Sequence, residues 1–217
     1  MEIKTIIKGY FIKNKTTIVG ITGGSGSGKT YLSNQLISKY GLDNINIIQM
    51  DSYYKDLIHL PMHKRELTNF DHPSAFDFEL LVNDLNILLQ KQSVQIPIYD
   101  YKTHTRKKKT CSIKISPIII IEGIFSMYYK KIRELMNFKI FIETSNKTRK
   151  KRRIKRDKTN RDRTIDSILY QYEKTVEPMY IKYIHPLKNK CDIIIKENKK
   201  NNTNFNILFR YLDSRIQ

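Results

Sequence analysis

The sequence predicts an α/β fold in which a central parallel sheet is flanked by helices. Short apolar, β-branched segments recur along the chain and alternate with helix-forming stretches, and Ile118 to Ile121 is apolar at every position. A strand covered on both faces has this composition, and strands that alternate with helices are typical of parallel sheets. The 217 residues contain no repeat and no Pro/Gly/Ser linker. We therefore expect one domain over 1–217, with 1–15 as an N-terminal extension.

Five segments are predicted as strands of this sheet. They are 17–21, 45–50, 118–121, 138–142 and 192–195, each rich in Ile, Val or Phe.

The helices are predicted from apolar spacing. A helix is expected from Lys29 to about Lys39, and another over 79–90, where leucines recur at helical spacing. In a basic helical lid at 145–175, Ile165, Ile168 and Tyr172 should share one face.

Residues 94–115 are predicted to leave the sheet as an exposed β-hairpin. Val94, Ile96 and Ile98 alternate with polar residues or Pro97, and Ile113 alternates in the same way with Ile115. The basic run 106–109 would then lie at or near the tip of the hairpin.

Composition excludes several classes of protein. Hydrophobic residues make up 40% and aromatics 11%, which is too apolar for a disordered chain. No apolar run approaches the roughly 20 residues that span a bilayer, so we expect no membrane partner. Cys111 and Cys191 are far apart and form no CxxC pair, which argues against a disulfide scaffold or a zinc site and predicts a reducing, cytoplasmic setting. The net charge of +19 leaves nucleic-acid binding open.

A glycine-rich motif between the first strand and the first helix predicts a phosphate site. Glycines let backbone N–H groups converge on phosphate oxygens, and the following helix points its positive end at the same anion. In the GxxxxGK[ST] pattern the lysine reaches the β- and γ-phosphates of ATP and the hydroxyl ligates Mg²⁺. The eight residues are Gly23, Gly24, Ser25, Gly26, Ser27, Gly28, Lys29 and Thr30. This motif makes the predicted fold a P-loop NTPase fold.

Two carboxylates are expected beside the phosphate loop. Glu122 directly follows the apolar strand 118–121, where a metal-binding carboxylate is expected, and Gly123 leaves room beside it. Asp51 ends the second predicted strand, and a kinase needs a carboxylate near the acceptor hydroxyl. We assign Thr30, Asp51 and Glu122 to Mg²⁺, and Asp51 and Lys29 to catalysis.

Three further segments resemble the uridine kinase (uridine–cytidine kinase) family. They are Asn69-Phe70-Asp71-His72-Pro73-Ser74-Ala75-Phe76-Asp77, the segment from Pro97 to Arg106 that reads PIYDYKTHTR, and Asp51-Ser52-Tyr53-Tyr54. Ile121 to Ile124 and the arginine-rich stretch that ends near Gln171 fit the same family in the same order. The resemblance covers about 17–195.

The resemblance implies ATP-dependent phosphorylation of the 5′-hydroxyl of uridine or cytidine. It also implies nucleoside contacts, and the chemistry of the residues suits them, since a carboxylate accepts hydrogen bonds from ribose hydroxyls and tyrosine rings can stack on a pyrimidine. Lid residues would close over the substrate, and Arg156 matches a basic residue near the phosphates or nucleoside, which we assign to catalysis. The implied contacts are Tyr54, Asp71, Tyr99, Tyr101, His104, Arg153, Arg161, Arg163 and Gln171. Homo-oligomerisation is implied by the resemblance alone.

Two other functions remain open from the sequence. One is a different small-molecule P-loop kinase, related to phosphoribulokinases or pantothenate kinases, although these would not be expected to contain the segment from Tyr99 to His104. The other is an RNA-binding P-loop ATPase, which the charge of +19 favours and the small size disfavours.

Overall fold

The computed structural model describes residues 16–161, 163–197 and 203–216. The predicted extension at 1–15 lies outside these residues. The described chain forms a parallel five-stranded sheet in the order β2-β5-β1-β6-β7. The strands are β1 (Thr17–Thr22), β2 (Ile45–Gln49), β5 (Ile118–Glu122), β6 (Phe138–Glu143) and β7 (Ile193–Lys196). The predicted sheet is confirmed.

β1 and β5 are inner strands of the sheet, and their burial agrees with this position. Every residue of both strands is buried, so their apolar side chains pack against helices on both faces. In the parallel register, Glu122 of β5 lies opposite Ile21 of β1 and Gln49 of β2. The loops that leave these three strands therefore emerge at one edge, which is where ligands bind in open α/β sheets.

The α-helices that flank or extend this sheet are α1 (Lys29–Tyr40), α2 (Met62–Glu66), α3 (Phe78–Leu89), α4 (Lys130–Leu135), α5 (Asn146–Arg161), α6 (Ile165–Gln171) and α7 (Thr203–Ile216). The bounds of α1 and α3 are close to the predicted 29–39 and 79–90, whereas α2 and α4 were not predicted. None of the helices in the described part of the chain is long and apolar enough to cross a bilayer.

The leucine-rich helix packs through one face, as its spacing predicts. Leu81, Leu85 and Leu88 of α3 are buried, whereas Leu89 is exposed. The N-terminus of α3 is capped by Asp77, whose side chain accepts a hydrogen bond from the backbone N–H of Leu80.

The predicted hairpin forms a second, two-stranded sheet. The antiparallel strands β3 (Val94–Asp100) and β4 (Thr105–Ile113) pair with a register shift between Pro97 and Tyr99. β3 is largely buried, so the expectation of an exposed hairpin holds only for β4, which is exposed along most of its length. The basic run 106–109 lies on β4 next to the tip.

The predicted lid consists of α5, α6 and a continuous helical segment after them. Two π-helical turns, Tyr172–Val176 and Tyr180–Ile184, flank one α-helical turn at Glu177–Met179, and a 3-10 helix follows at His185–Lys190. The expected apolar face is wrong at its first member. Ile168 and Tyr172 are buried, but Ile165 is exposed because it lies in the first turn of α6, at the surface.

Candidate active site

The phosphate loop connects β1 to α1 and is shaped by its glycines. Gly26 and Gly28 have positive φ angles, 77° and 102°, which side chains rarely allow. A Cβ atom on Gly26 would lie 2.5 Å from the carbonyl oxygen of Arg149, so this glycine also lets the loop pack against α5. Gly28 caps α1 without a side-chain hydrogen bond, which leaves the first N–H groups of α1 available to an anion.

Lys29, Thr30 and Glu122 meet beneath this loop. The Lys29 ammonium donates to the carbonyl oxygens of Gly23 and Gly24, each at 3.1 Å, and the Thr30 hydroxyl donates to Oε1 of Glu122 at 3.0 Å. Burial lowers the pKa of Lys29, an effect that the Glu122 and Asp51 carboxylates oppose. Burial likewise raises the pKa of Glu122, and Lys29 opposes this rise. The two buried charges therefore depend on each other.

Asp51 lies just beyond the end of β2, in the 3-10 turn Met50–Tyr53. Its Oδ2 accepts a hydrogen bond of 3.1 Å from the Tyr101 hydroxyl. The turn is anchored by Tyr53, a fully buried residue whose hydroxyl donates to Oδ2 of Asp84 on α3 at 2.9 Å. The backbone around Asp51 is thus held by packing that does not involve the Asp51 side chain.

Gly123 connects the two carboxylate-bearing segments. A Cβ atom on Gly123 would lie 2.5 Å from the Cβ of Met50, so the end of β5 and the turn with Asp51 pack backbone against side chain. The room that the sequence indicated beside Glu122 is filled by Met50.

Aromatic side chains form the wall of a pocket next to Asp51. The ring of Tyr54 lies 5.0 Å from that of Tyr99, between centroids, and its hydroxyl donates to the carbonyl oxygen of Phe70 at 3.2 Å. Tyr99 in turn meets the ring of Tyr101 at 5.6 Å, edge to face. The hydroxyl of Tyr99 is buried and has no hydrogen-bond partner among the described residues.

His104 lies at the hairpin tip with a left-handed backbone, φ 55°. Its ring stacks on Phe70, with 4.7 Å between centroids and 14° between planes. Burial lowers the pKa of His104, which favours the neutral ring with one donor and one acceptor nitrogen. Arg65 connects the tip to the preceding loop, because it donates to the carbonyl oxygens of Thr103 at 2.9 Å and Leu60 at 2.7 Å.

Arginines from the lid cover the other side of the pocket. Nη1 of Arg153 donates to Oγ of Ser25 in the phosphate loop at 2.9 Å and lies 3.4 Å from Oδ1 of the buried Asp71. Nη2 of Arg153 donates to Gln171 at 3.0 Å, and Arg163 also donates to Gln171. The guanidinium of Arg161 lies 4.1 Å from the centroid of the Tyr101 ring, a cation–π contact.

One cavity of about 660 Å³ collects these groups. Every site residue predicted from the sequence lines this cavity, except five residues of the phosphate loop. Those five are Gly23, Gly24, Gly26, Ser27 and Gly28. The residues that the cavity brings together are Ser25, Lys29, Thr30, Asp51, Tyr54, Asp71, Tyr99, Tyr101, His104, Glu122, Arg153, Arg156, Arg161, Arg163 and Gln171.

Sequence reasoning missed three residues with roles in this geometry. Phe70 stacks on His104 and could have been found as the aromatic residue beside Asp71 in the motif that begins at Asn69. Arg149 is buried under the phosphate loop, where Nη2 pairs with Glu177 at 2.9 Å and its guanidinium lies 3.8 Å from the Tyr180 ring. Asp157 is buried among arginines. In the sequence, Arg149 and Asp157 lie in a run of basic residues, which gives no sign that either side chain is buried.

The described residues contain no group of three or more His, Cys, Asp or Glu side chains that could hold a metal ion. Thr30 and Glu122, in contact beside Lys29, are oxygen donors of the kind that Mg²⁺ prefers. Because Mg²⁺ in kinases is bound by one or two carboxylates together with water and substrate phosphates, this sparse donor set fits it.

The sequence is similar to a family of kinases over most of its length. The model of the phosphoribulokinase / uridine kinase family matches residues 18–204. A uridine kinase of Streptococcus agalactiae serotype V is 44% identical over 190 residues, which are 88% of this chain and 91% of that protein. A uridine kinase of Streptococcus mutans serotype c is 43% identical over 190 residues, with the same two shares of 88% and 91%.

Two solved kinases share the fold at low sequence identity. Phosphoribulokinase from Rhodobacter spheroides has a TM-score of 0.61 at 16% identity, over 84% of this chain and 70% of that one. D-glycerate 3-kinase from Cryptococcus neoformans has a TM-score of 0.58 at 16% identity, over 78% and 79% of the two chains.

Proposed function

Because the chain belongs to the phosphoribulokinase / uridine kinase family, we propose that it transfers the γ-phosphoryl group of ATP to the 5′-hydroxyl of uridine or cytidine. The product would be the nucleoside monophosphate, as in pyrimidine salvage. One observation carries the proposal: the aromatic residues Tyr54, Phe70, Tyr99 and His104, the phosphate-loop residues Ser25, Lys29 and Thr30, and Asp51 all line one cavity.

The acceptor pocket suits a nucleoside rather than a sugar phosphate. The contiguous rings of Tyr54, Phe70 and Tyr99 offer a stacking surface for a flat base, and the neutral His104 offers a donor or an acceptor to its edge. Asp71 is buried, and its Oδ2 has no hydrogen-bond partner among the described residues, which suits ribose hydroxyls. A ribose held there would place its 5′-hydroxyl toward Asp51.

The chain's own groups account for the steps of the reaction. Lys29 and the N–H groups of the phosphate loop bind the β- and γ-phosphates. Asp51 accepts the proton of the 5′-hydroxyl, or orients it for in-line attack. Arg153, Arg156 and Arg161 stabilise the negative charge of the transferring group and help to exclude water, which would otherwise hydrolyse ATP.

We propose Mg²⁺ as the metal, held by Thr30 and Glu122 with Asp51 beside them. When bound, it would neutralise part of the negative charge on the phosphate groups. Residues 145–175 would move as a lid over the bound substrates. We also propose that the chain forms a homo-oligomer and is located in the cytoplasm. The excess of exposed lysine, such as Lys151, Lys155 and Lys158 on α5, has no role in this reaction.

A coupled assay of ADP release tests the proposal. The purified chain with ATP and Mg²⁺ is given uridine, cytidine, adenosine, D-glycerate, ribulose 5-phosphate or single-stranded RNA in turn. We expect stimulation by uridine and cytidine, with UMP and CMP identified by mass. Stimulation by D-glycerate or ribulose 5-phosphate would indicate another kinase of this fold, and stimulation by RNA alone would indicate an RNA-dependent ATPase.

A further inference from the structure

We propose that Asp157 is a positioning residue, whose buried carboxylate aligns the guanidinium groups of Arg153, Arg156 and Arg161 for phosphoryl transfer. The inference deepens the proposed function and rests on it. Asp157 belongs to none of the motifs described above, and it lies in the middle of the most basic stretch of the sequence.

The contacts of Asp157 form one cluster within α5. Oδ1 accepts a hydrogen bond from Nε of the adjacent Arg156 at 2.8 Å and lies 3.6 Å from Nε of Arg161. Oδ2 lies 3.4 Å from Nε of Arg153. Arg153 and Arg161 stand four residues before and after Asp157, so helical spacing brings both to the same face as the carboxylate. The side chain of Asp157 is 0% exposed.

All three arginines face Asp157 through Nε, so their terminal Nη groups are directed elsewhere. Arg153 uses Nη1 and Nη2 for Ser25, Asp71 and Gln171. Arg161 lies over the Tyr101 ring, and Arg156 lines the cavity that also contains Asp51 and Glu122. One carboxylate therefore connects the arginine at the phosphate loop with the arginines nearest the acceptor.

The charge of Asp157 has two opposite effects on a phosphate ligand. Without it, three neighbouring cations would repel one another, and their side chains would spread toward solvent. With it, the cluster keeps a net charge of +2, and a negative charge lies near the position of the transferring group, which weakens attraction for an anion. Burial would raise the pKa of Asp157, but the arginines outweigh burial and hold that pKa below its ordinary value. Asp157 is thus anionic at neutral pH.

The loss of the Asp157 charge should therefore affect the alignment of the arginines and the binding of phosphates in different ways. Loss of the carboxylate charge should reduce the turnover number, because a misplacement of about 1 Å costs on the order of 10²-fold in rate. It should not weaken the binding of phosphates, because the site becomes more positive. A residue that only supports the fold would instead lower binding, turnover and thermal stability together.

The test compares Asp157→Asn with Asp166→Asn, a matched control on α6 that is exposed and lies outside the cavity. For each variant, kcat is measured with saturating ATP and the acceptor that the wild type uses. Titration calorimetry gives the Kd of Mg²⁺-tripolyphosphate. We expect the kcat of Asp157→Asn to fall about 10- to 100-fold while the Kd stays within threefold of the wild-type value or becomes tighter. Asp166→Asn should match the wild type in both.

Asp157→Glu serves as a second variant in case Asp157→Asn does not fold, since it keeps the charge but displaces it by one methylene group. A fall in kcat of at least fivefold, with unchanged tripolyphosphate binding, would support alignment. Wild-type kcat in either folded variant would overturn the proposal. So would parallel losses of binding and turnover, or failure of both variants to fold, because each indicates structural support alone.

Failure of the proposed function gives a different result. In that case the wild type phosphorylates neither uridine nor cytidine, and the rate of ATP hydrolysis without acceptor replaces kcat. The comparison of variants with the wild type then follows the same expectations.

Discussion

Replacement of Asp51 by Asn is expected to lower kcat about 10²- to 10⁴-fold and to leave the nucleoside KM within a fewfold of the wild-type value. Asn has the shape of Asp, and its amide oxygen can still accept the hydrogen bond from Tyr101. The turn that contains residue 51 is anchored by Tyr53 and Asp84, so the backbone should keep its position. The acceptor pocket is therefore preserved, while the group that takes the proton is lost.

The magnitude follows from the role proposed for Asp51. A positioned general base contributes about 10²- to 10⁴-fold in rate, which corresponds to about 3 to 5 kcal/mol of transition-state stabilisation. Removal of the charge also leaves Lys29 and Arg156 with one carboxylate fewer nearby, since both interact electrostatically with Asp51. The loss of this negative charge favours phosphate binding, so it should not raise the nucleoside KM.

The assay is steady-state ADP release with uridine varied at saturating ATP and Mg²⁺. Asp43→Asn, at an exposed position between α1 and β2, controls for the chemical change. A kcat within threefold of the wild-type value would refute the reasoning, as would a large rise in the nucleoside KM at constant kcat, because that result would make Asp51 a binding residue only.

Three further substitutions test the phosphate loop, the base pocket and the core. Gly26→Ala forces a positive φ on a side chain and places its Cβ against Arg149, at a strain of about 1–2 kcal/mol or more; the ATP KM should rise at least tenfold, and an unchanged value would contradict the packing described. His104→Ala should raise the nucleoside KM about 2- to 12-fold, the equivalent of ~0.5–1.5 kcal/mol for one hydrogen bond to the base edge, without affecting the ATP KM. Because burial lowers the pKa of His104, the wild-type nucleoside KM should stay constant above pH 7 and rise only as the pH falls through that lowered pKa; a rise toward alkaline pH would contradict this sign. Leu85→Ala should reduce the free energy of unfolding in urea by about 2–5 kcal/mol, and Leu89→Ala on the exposed side by far less; equal losses would show that the buried face is wrongly assigned.

The sheet and the phosphate loop were predictable because their signals are local. A strand covered on both faces is apolar throughout, as in β5, and a phosphate loop needs glycines at fixed spacing. The hairpin was predictable from alternation, although its buried strand β3 was not distinguished from its exposed strand β4. These features depend on neighbours in sequence, which a single sequence shows directly.

The burial of Arg149 and Asp157 was not predictable, because it depends on contacts that the order of residues does not show. In the sequence, Arg149 and Lys151 belong to one basic run. In the structure, Arg149 is buried against Glu177 and Tyr180, and Lys151 is exposed. Asp157 is concealed in the same way, because its partners are arginines that could equally have been surface charges. Ile165 failed for a related reason, since apolar spacing does not reveal where a helix meets solvent.

The hairpin that contains Tyr99 and the strands next to the phosphate loop belong to separate sheets. β3 and β4 pair only with each other in the described chain. In the main sheet, β1, which leads into the phosphate loop, lies beside β5, which ends at Glu122. If the proposed acceptor pocket is right, we expect substitutions in the hairpin to change acceptor recognition without disturbing the strand order of the main sheet. This division permits evolutionary divergence of acceptors within one scaffold, and kinases named for D-glycerate and for a phosphorylated pentose share that scaffold. It also makes residues 94–115 the natural segment to exchange when a new acceptor specificity is engineered.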